Sequence, residues 1–147
     1  MFCDIIYAIM IEYIVLDTNV LVSALRSRRG ASHRLLGLVG TGLFKTVLSV
    51  PLVFEYEDVL SREYLPVGYK AVEDVIDYLC KVSSIRRVFY LWRPVLKDPK
   101  DDHILELAVE ARCTTIITYN KKDFVGAAQF GIAIESPLEF MNRLEIL

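Results

Sequence analysis

Four acid-bearing sites recur where apolar runs of this chain give out. Asp17 and Asn19 follow Ile14-Val15-Leu16, and Glu55 sits inside Pro51-Leu52-Val53-Phe54-Glu55-Tyr56. Asp98, Asp101 and Asp102 precede Ile104-Leu105, and Asn120 and Asp123 follow Thr114-Thr115-Ile116-Ile117-Thr118. Carboxylate and amide oxygens suit hard divalent cations such as Mg2+ or Mn2+. Acids gathered without a cation repel one another and raise each other's pKa. One or two ions in such a setting can activate water and stabilise the leaving oxygen of a phosphodiester, two-metal sites holding their ions ~3.5–4 Å apart.

Each site also has a structural reading. Asp17 can cap a helix. Glu55 lies within or at the edge of the apolar face set by Leu52, Tyr56, Val59 and Leu60, and could equally pair with Arg62. Acids at 98, 101 and 102 complement a helix dipole. Spacing separates them: Ile104, Leu105 and Ala108 follow Asp101 at +3, +4 and +7, which sets Asp101 above the buried face and toward the end of a sheet. Asp102 has Glu106 at +4 and is placed at the periphery, as a second-choice ligand.

The elements that must carry these residues follow from periodicity. Short, β-branched runs predict strands at 12–17, 44–50, 114–118 and 131–135. Helical spacing predicts helices at 18–27, capped by Thr18 or Asn19, at 31–41, capped by Ser32, and from Pro51, which suits a first helical position. Further helices are expected at 70–83, at 102–112 and from Pro137, with extended chain at 84–92. Alternating helices and apolar strands point to an α/β fold with a mostly parallel sheet. In such sheets ligands bind beyond the carboxyl ends of the strands, where Asp17 stands.

The 147 residues suit a single domain, and a hydrophobic share of 54% argues against disorder. A net charge of −2 argues against nucleic-acid binding by bulk positive charge and leaves room for a local basic patch. Cys3, Cys80 and Cys113 are odd in number, widely spaced and without a Cys-x-x-Cys pair, as expected of reduced thiols in a cytoplasmic protein. His33 and His103 are isolated, which disfavours zinc. The apolar segment 1–10 lacks the basic start and cleavage site of a signal peptide. Asp4 and Glu12 interrupt it before a membrane span of about 20 residues could form. It reads as an added strand or arm, or as an extension upstream of a start at Met10.

The segments Val15-Leu16-Asp17-Thr18-Asn19-Val20-Leu21, Glu55-Tyr56-Glu57-Asp58-Val59-Leu60, Asp98-Pro99-Lys100-Asp101-Asp102 and Thr118-Tyr119-Asn120-Lys121-Lys122-Asp123-Phe124 occur in the order found in PIN-domain proteins. The closing Gly131-Ile132 to Ser136-Pro137-Leu138-Glu139-Phe140 also fits. The chain thus resembles that family over a core of residues 12–143. The resemblance implies a three-layer α/β/α sandwich and a Mg2+- or Mn2+-dependent endoribonuclease, similar to the VapC-type toxins of toxin–antitoxin pairs. It implies Asp17, Glu55 and Asp101 as catalytic, metal-holding acids, with Asp102 as the alternate for the third. Asn19, Asn120 and Asp123 would support them. Asn120 departs from the pattern, since many members carry an acid there; the loss of charge implies weaker hold on a second ion.

Single-stranded RNA would need cations near the acids. Arg26, Arg28, Arg29 and Arg34 follow the first site, and Lys121 and Lys122 flank the fourth. Tyr56, Tyr64 and Trp92 are candidate stacking partners for bases. A mean hydropathy of +0.37 suggests surface covered by a second copy, by an antitoxin, or by both. Two other readings compete: a non-catalytic PIN-like module that binds RNA or protein, and a phosphatase with an aspartyl-phosphate intermediate. The phosphatase needs a second acid two residues after its nucleophile, where Asn19 stands.

Overall fold

The computed structural model describes residues 11–88 and 96–146. The N-terminal run 1–10, the end of the extended stretch and Trp92 lie outside them. Among the described residues five strands form one sheet: β1 (Tyr13–Leu16), β2 (Lys45–Leu48), β3 (Ser84–Ile85), β4 (Thr115–Ile117) and β5 (Ala133–Glu135), in the order β3-β2-β1-β4-β5. Every pairing among them is parallel. Parallel strands need long crossovers, and helices supply them: α1 (Thr18–Arg26), α2 (Ala31–Leu38), α3 (Val50–Arg62), α4 (Tyr69–Val82), α5 (Asp102–Glu110) and α6 (Pro137–Arg143). The result is the expected three-layer α/β/α sandwich.

β1 is the centre of the molecule. Ile14, Val15 and Leu16 are between 0% and 2% exposed, because helices cover both faces of the strand. Truncating any one of them would cost on the order of 2–4 kcal/mol through the cavity left behind. β1 is therefore a rigid platform for whatever follows it.

The strand order reverses at β1. The chain first builds outward through β2 and β3, then returns to add β4 and β5 on the other side. A crevice opens at such a reversal, beyond the carboxyl ends of the two strands that flank it. Here those strands are β1 and β4, paired at Leu16↔Ile117. The residues leaving them are Asp17 and Thr118.

Several local expectations are corrected. Asp17 itself caps α1, and Thr18 is the first helical residue. α2 is preceded by Gly30, while Ser32 is buried and hydrogen-bonded to the Tyr119 hydroxyl. Ser49 caps α3, so Val50 takes the first helical place and Pro51 the next. Most strands and helices are also shorter at their ends than expected, and α4 is shifted by one residue, Tyr69–Val82 against 70–83.

Candidate active site

Asp17 is 8% exposed, and both of its oxygens are engaged. Oδ1 accepts the Thr18 backbone N–H at 2.8 Å, which is the helix cap. Oδ2 accepts the Thr118 hydroxyl at 2.7 Å, across the crevice between β1 and β4. The two readings of Asp17 are thus compatible: one oxygen caps α1 and the other faces the strand beside it. Burial pushes its carboxyl above the ordinary value, the two hydrogen bonds oppose that, and the charge of Glu55 adds to it.

Glu55 projects from α3 into the same place. Its Oε2 accepts the Thr18 hydroxyl and its Oε1 meets His103 Nε2 at 3.2 Å. Thr18 therefore ties the two acids together, its backbone to Asp17 and its side chain to Glu55. Burial would raise the Glu55 carboxyl, but the His103 and Thr18 hydrogen bonds and the charge of His103 together lower it. Pairing with Arg62 does not occur; Arg62 reaches Asp58 at 2.9 Å on the exposed side of α3.

The third acidic site is built differently from its sequence reading. Asp98 caps a 3-10 turn, Pro99–Asp101, by accepting the Lys100 N–H at 3.0 Å. Asp102 and Glu106 do share a helical face, as their spacing implied, but that face is buried, with Glu106 2% exposed. Asp102, expected at the periphery, is instead 1% exposed and receives the Leu96 N–H at 2.9 Å. Asp101 is half-buried and makes no side-chain hydrogen bond among the described residues. Its carboxyl is raised to about 6, first by burial and then by the charges of Asp17, Asp98, Asp123 and Glu55. Asp17, Glu55, Asp101 and Asp123 therefore share one field.

Asn19 and Asn120 build the rim. Asn19 receives the Tyr119 N–H and donates to Thr118, both at 3.3 Å. The Asn120 N–H donates to the Thr118 hydroxyl at 3.0 Å. Thr118 thus serves Asp17, Asn19 and Asn120 at once. Thr18, Thr118 and His103 escaped the sequence reading of the site. Their only signal was position: each neighbours a candidate acid or amide.

The proposed RNA-contacting groups divide. Arg26 is paired with Glu63 at 2.8 Å, and Lys121 with Glu139. Arg28, Arg29, Arg34 and Lys122 are exposed and have no ion-pair partner among the described residues. Tyr56 is no stacking platform: it is 1% exposed and its hydroxyl donates to the Leu16 carbonyl at the end of β1. Tyr64 is 94% exposed.

A family model described as a PIN domain matches residues 13–122. The chain belongs to the PIN-domain family. The match spans the first three acid-bearing sites and Asn120 of the fourth, and ends one residue before Asp123. Among solved structures, one chain of a structure described as FitAB bound to an IR36 DNA fragment superimposes on this PIN domain with a TM-score of 0.56. It is 17% identical, and the alignment covers 84% of this chain and 94% of that one, which shows a shared fold. No curated protein sequence matches.

The donor chemistry of this PIN domain fits a hard divalent cation. Asp17, Glu55 and Asp101 offer oxygens only, and two of the three carboxyls are raised, first by burial and further by neighbouring acids. The arrangement is not a closed cage: among the described residues no group of three His, Cys, Asp or Glu side chains is placed to hold an ion as it stands. Asp17 and Glu55 are fixed by hydrogen bonds, so Asp101 is the acid left to complete the set.

Proposed function

We propose that this PIN domain is a metal-dependent endoribonuclease, hydrolysing phosphodiester bonds of single-stranded RNA. The single observation that carries the reading is the set of acids at the β1/β4 reversal, with Asp101 raised to about 6 by burial and then by its acidic neighbours. Asp17, Glu55 and Asp101 would hold Mg2+ or Mn2+, with Asn120 and Asp123 available to a second ion. A bound divalent ion supplies a lowered water pKa and charge neutralisation at the scissile phosphate.

The chain's own residues prepare that chemistry. Thr18 and Thr118 fix Asp17 and keep its caps satisfied. Thr18 and His103 fix Glu55 and favour its ionised form. In the overall reaction water attacks phosphorus, the bond to the 3′ oxygen breaks, and the products are a 3′-hydroxyl and a 5′-phosphate. Arg28, Arg29, Arg34 and Lys122 are the cations open to the RNA backbone.

The test is cleavage of a labelled single-stranded RNA by purified protein in Mn2+, against Asp17→Asn. Asn retains capping ability, so α1 should persist. Cleavage by the variant at the wild-type rate would overturn the mechanism. The absence of a closed ion cage favours one rival, a non-catalytic PIN module that binds RNA or protein. Calorimetry with Mn2+ separates them, because that module would take up no ion at millimolar concentration.

Resemblance to VapC-type toxins supports an antitoxin as partner. A groove between α3 and α4 suits it: Phe54, Tyr69, Val72 and Ile76 line the groove, with Glu57, Asp58, Glu73 and Asp77 beside them. A homodimer is the other means of covering exposed apolar groups such as Val50 and Ile85. No helix among the described residues is long and apolar enough to cross a membrane.

A further inference from the structure

Glu55 owes its place to a residue that sequence spacing left unassigned. Its two oxygens are engaged separately, Oε2 by the Thr18 hydroxyl and Oε1 by His103 Nε2 at 3.2 Å. The partners come from different elements. Thr18 opens α1, and His103 lies in the first turn of α5, which packs against α3. A carboxylate bonded at both oxygens is restrained in orientation.

The direction of the bond follows from the partner. An ionised carboxylate only accepts, so Nε2 carries a proton. Nδ1 is buried with no hydrogen-bond partner among the described residues. A buried polar atom left unmet is a local penalty, and the ring keeps its place despite it. The side chain is 24% exposed, so it is not there merely to fill core space.

We infer that His103 is a positioning residue: its Nε2–H holds Glu55 in the orientation from which that carboxylate binds a divalent cation. The inference rests on the metal-dependent reading above. Each Glu55 oxygen has two acceptor positions, so a hydrogen bond at one leaves the other for an ion. Carboxylates that ligate metals are commonly fixed by such outer partners, and losing one costs about 10–100-fold in affinity or activity.

The experiment titrates Mn2+ alone into the full chain by calorimetry, for wild type, His103→Gln, His103→Asn and His103→Ala, with thermal melts alongside. The Gln amide nitrogen reaches the place of Nε2, whereas the Asn amide does not. Asn and Ala should weaken Mn2+ binding by about 10–100-fold, and Gln should stay within about threefold of wild type. RNA cleavage should follow the same order at limiting Mn2+ and converge when Mn2+ is raised. Unchanged or tighter Mn2+ binding by Asn and Ala overturns the inference, as does a Gln variant as weak as Ala. If Ala does not fold, the Gln and Asn pair still decides between these outcomes. Wild-type protein that takes up no Mn2+ overturns the metal-dependent reading itself, and the inference with it.

Discussion

Two groups of acids in this molecule are treated in opposite ways. Under α6, Glu12 and Glu135 converge on Arg143, whose guanidinium makes bonds of 2.8–3.1 Å to both carboxylates. The Glu12 carboxyl is lowered as a result, chiefly by that guanidinium. At the β1/β4 reversal, Asp17, Glu55, Asp101 and Asp123 share a field with one imidazole and no arginine or lysine bonded to them among the described residues. Internal compensation marks the first group as structural, tying the start of β1 to the C-terminal helix. The second group has no such compensation among the described residues, which leaves it the candidate for an added cation.

The contrast is tested most severely at Asp17. Asp17→Asn should abolish RNA cleavage, by more than the roughly 100-fold expected for an outer partner of a metal ligand. Its melting temperature should hold or rise, because a buried charge with acidic neighbours has gone. A clear fall in melting temperature would place Asp17 with the structural acids instead.

Arg143→Met should show the converse. Glu12 and Glu135 would lose their compensation while remaining half-buried or deeper, costing about 1–2 kcal/mol, less than a fully buried pair because Arg143 is partly exposed. Urea denaturation measures this, and cleavage per folded molecule should be unchanged. A combined Arg143→Met, Glu135→Gln variant should recover part of the loss.

Asp101 provides a pH signature. Its folded pKa of about 6 lies above the ordinary 3.8, so the fold favours the protonated form. Its stabilising contribution is full below about 3.8 and is lost as pH rises through about 6. Metal-free wild type should therefore lose melting temperature relative to Asp101→Asn across that window, and Mn2+ should suppress the difference. A pH-independent difference would remove Asp101 from the shared field.

The smallest expected effect is at Asn120. Asn120→Asp adds the acid that many family members carry, and with it negative charge. Mn2+ binding should tighten by roughly threefold, since ligand charge tunes affinity for hard cations, and the metal-free protein should melt slightly lower. Calorimetry and melts read both; weaker Mn2+ binding would show that Asn120 lies outside the site.

Much of this fold was legible in order and type, because β1, β4 and the amphipathic helices each carry a local period. Strand ends and caps were less so. Asp17, Thr18 and Asn19 are all acceptable caps by composition, and only backbone geometry gives the place to Asp17. Asp102 was misplaced because Glu106, one turn on, was read as solvent-facing from its charge, whereas both acids lie on a buried face of the helix. His103 was passed over as isolated, since its partner lies 48 residues away on another helix.

The sequence by itself determined that acids would follow apolar strands and open helices, because strand and helix periods are local and chain termini of strands are readable. Tertiary structure alone decided which acids would face one another, since that depends on strand order. It also decided which were compensated. Arg143 reaches Glu12 from 131 residues away, while Asp17 meets Thr118 and, among the described residues, no arginine or lysine, and that difference in long-range partners separates a structural clamp from a candidate active site.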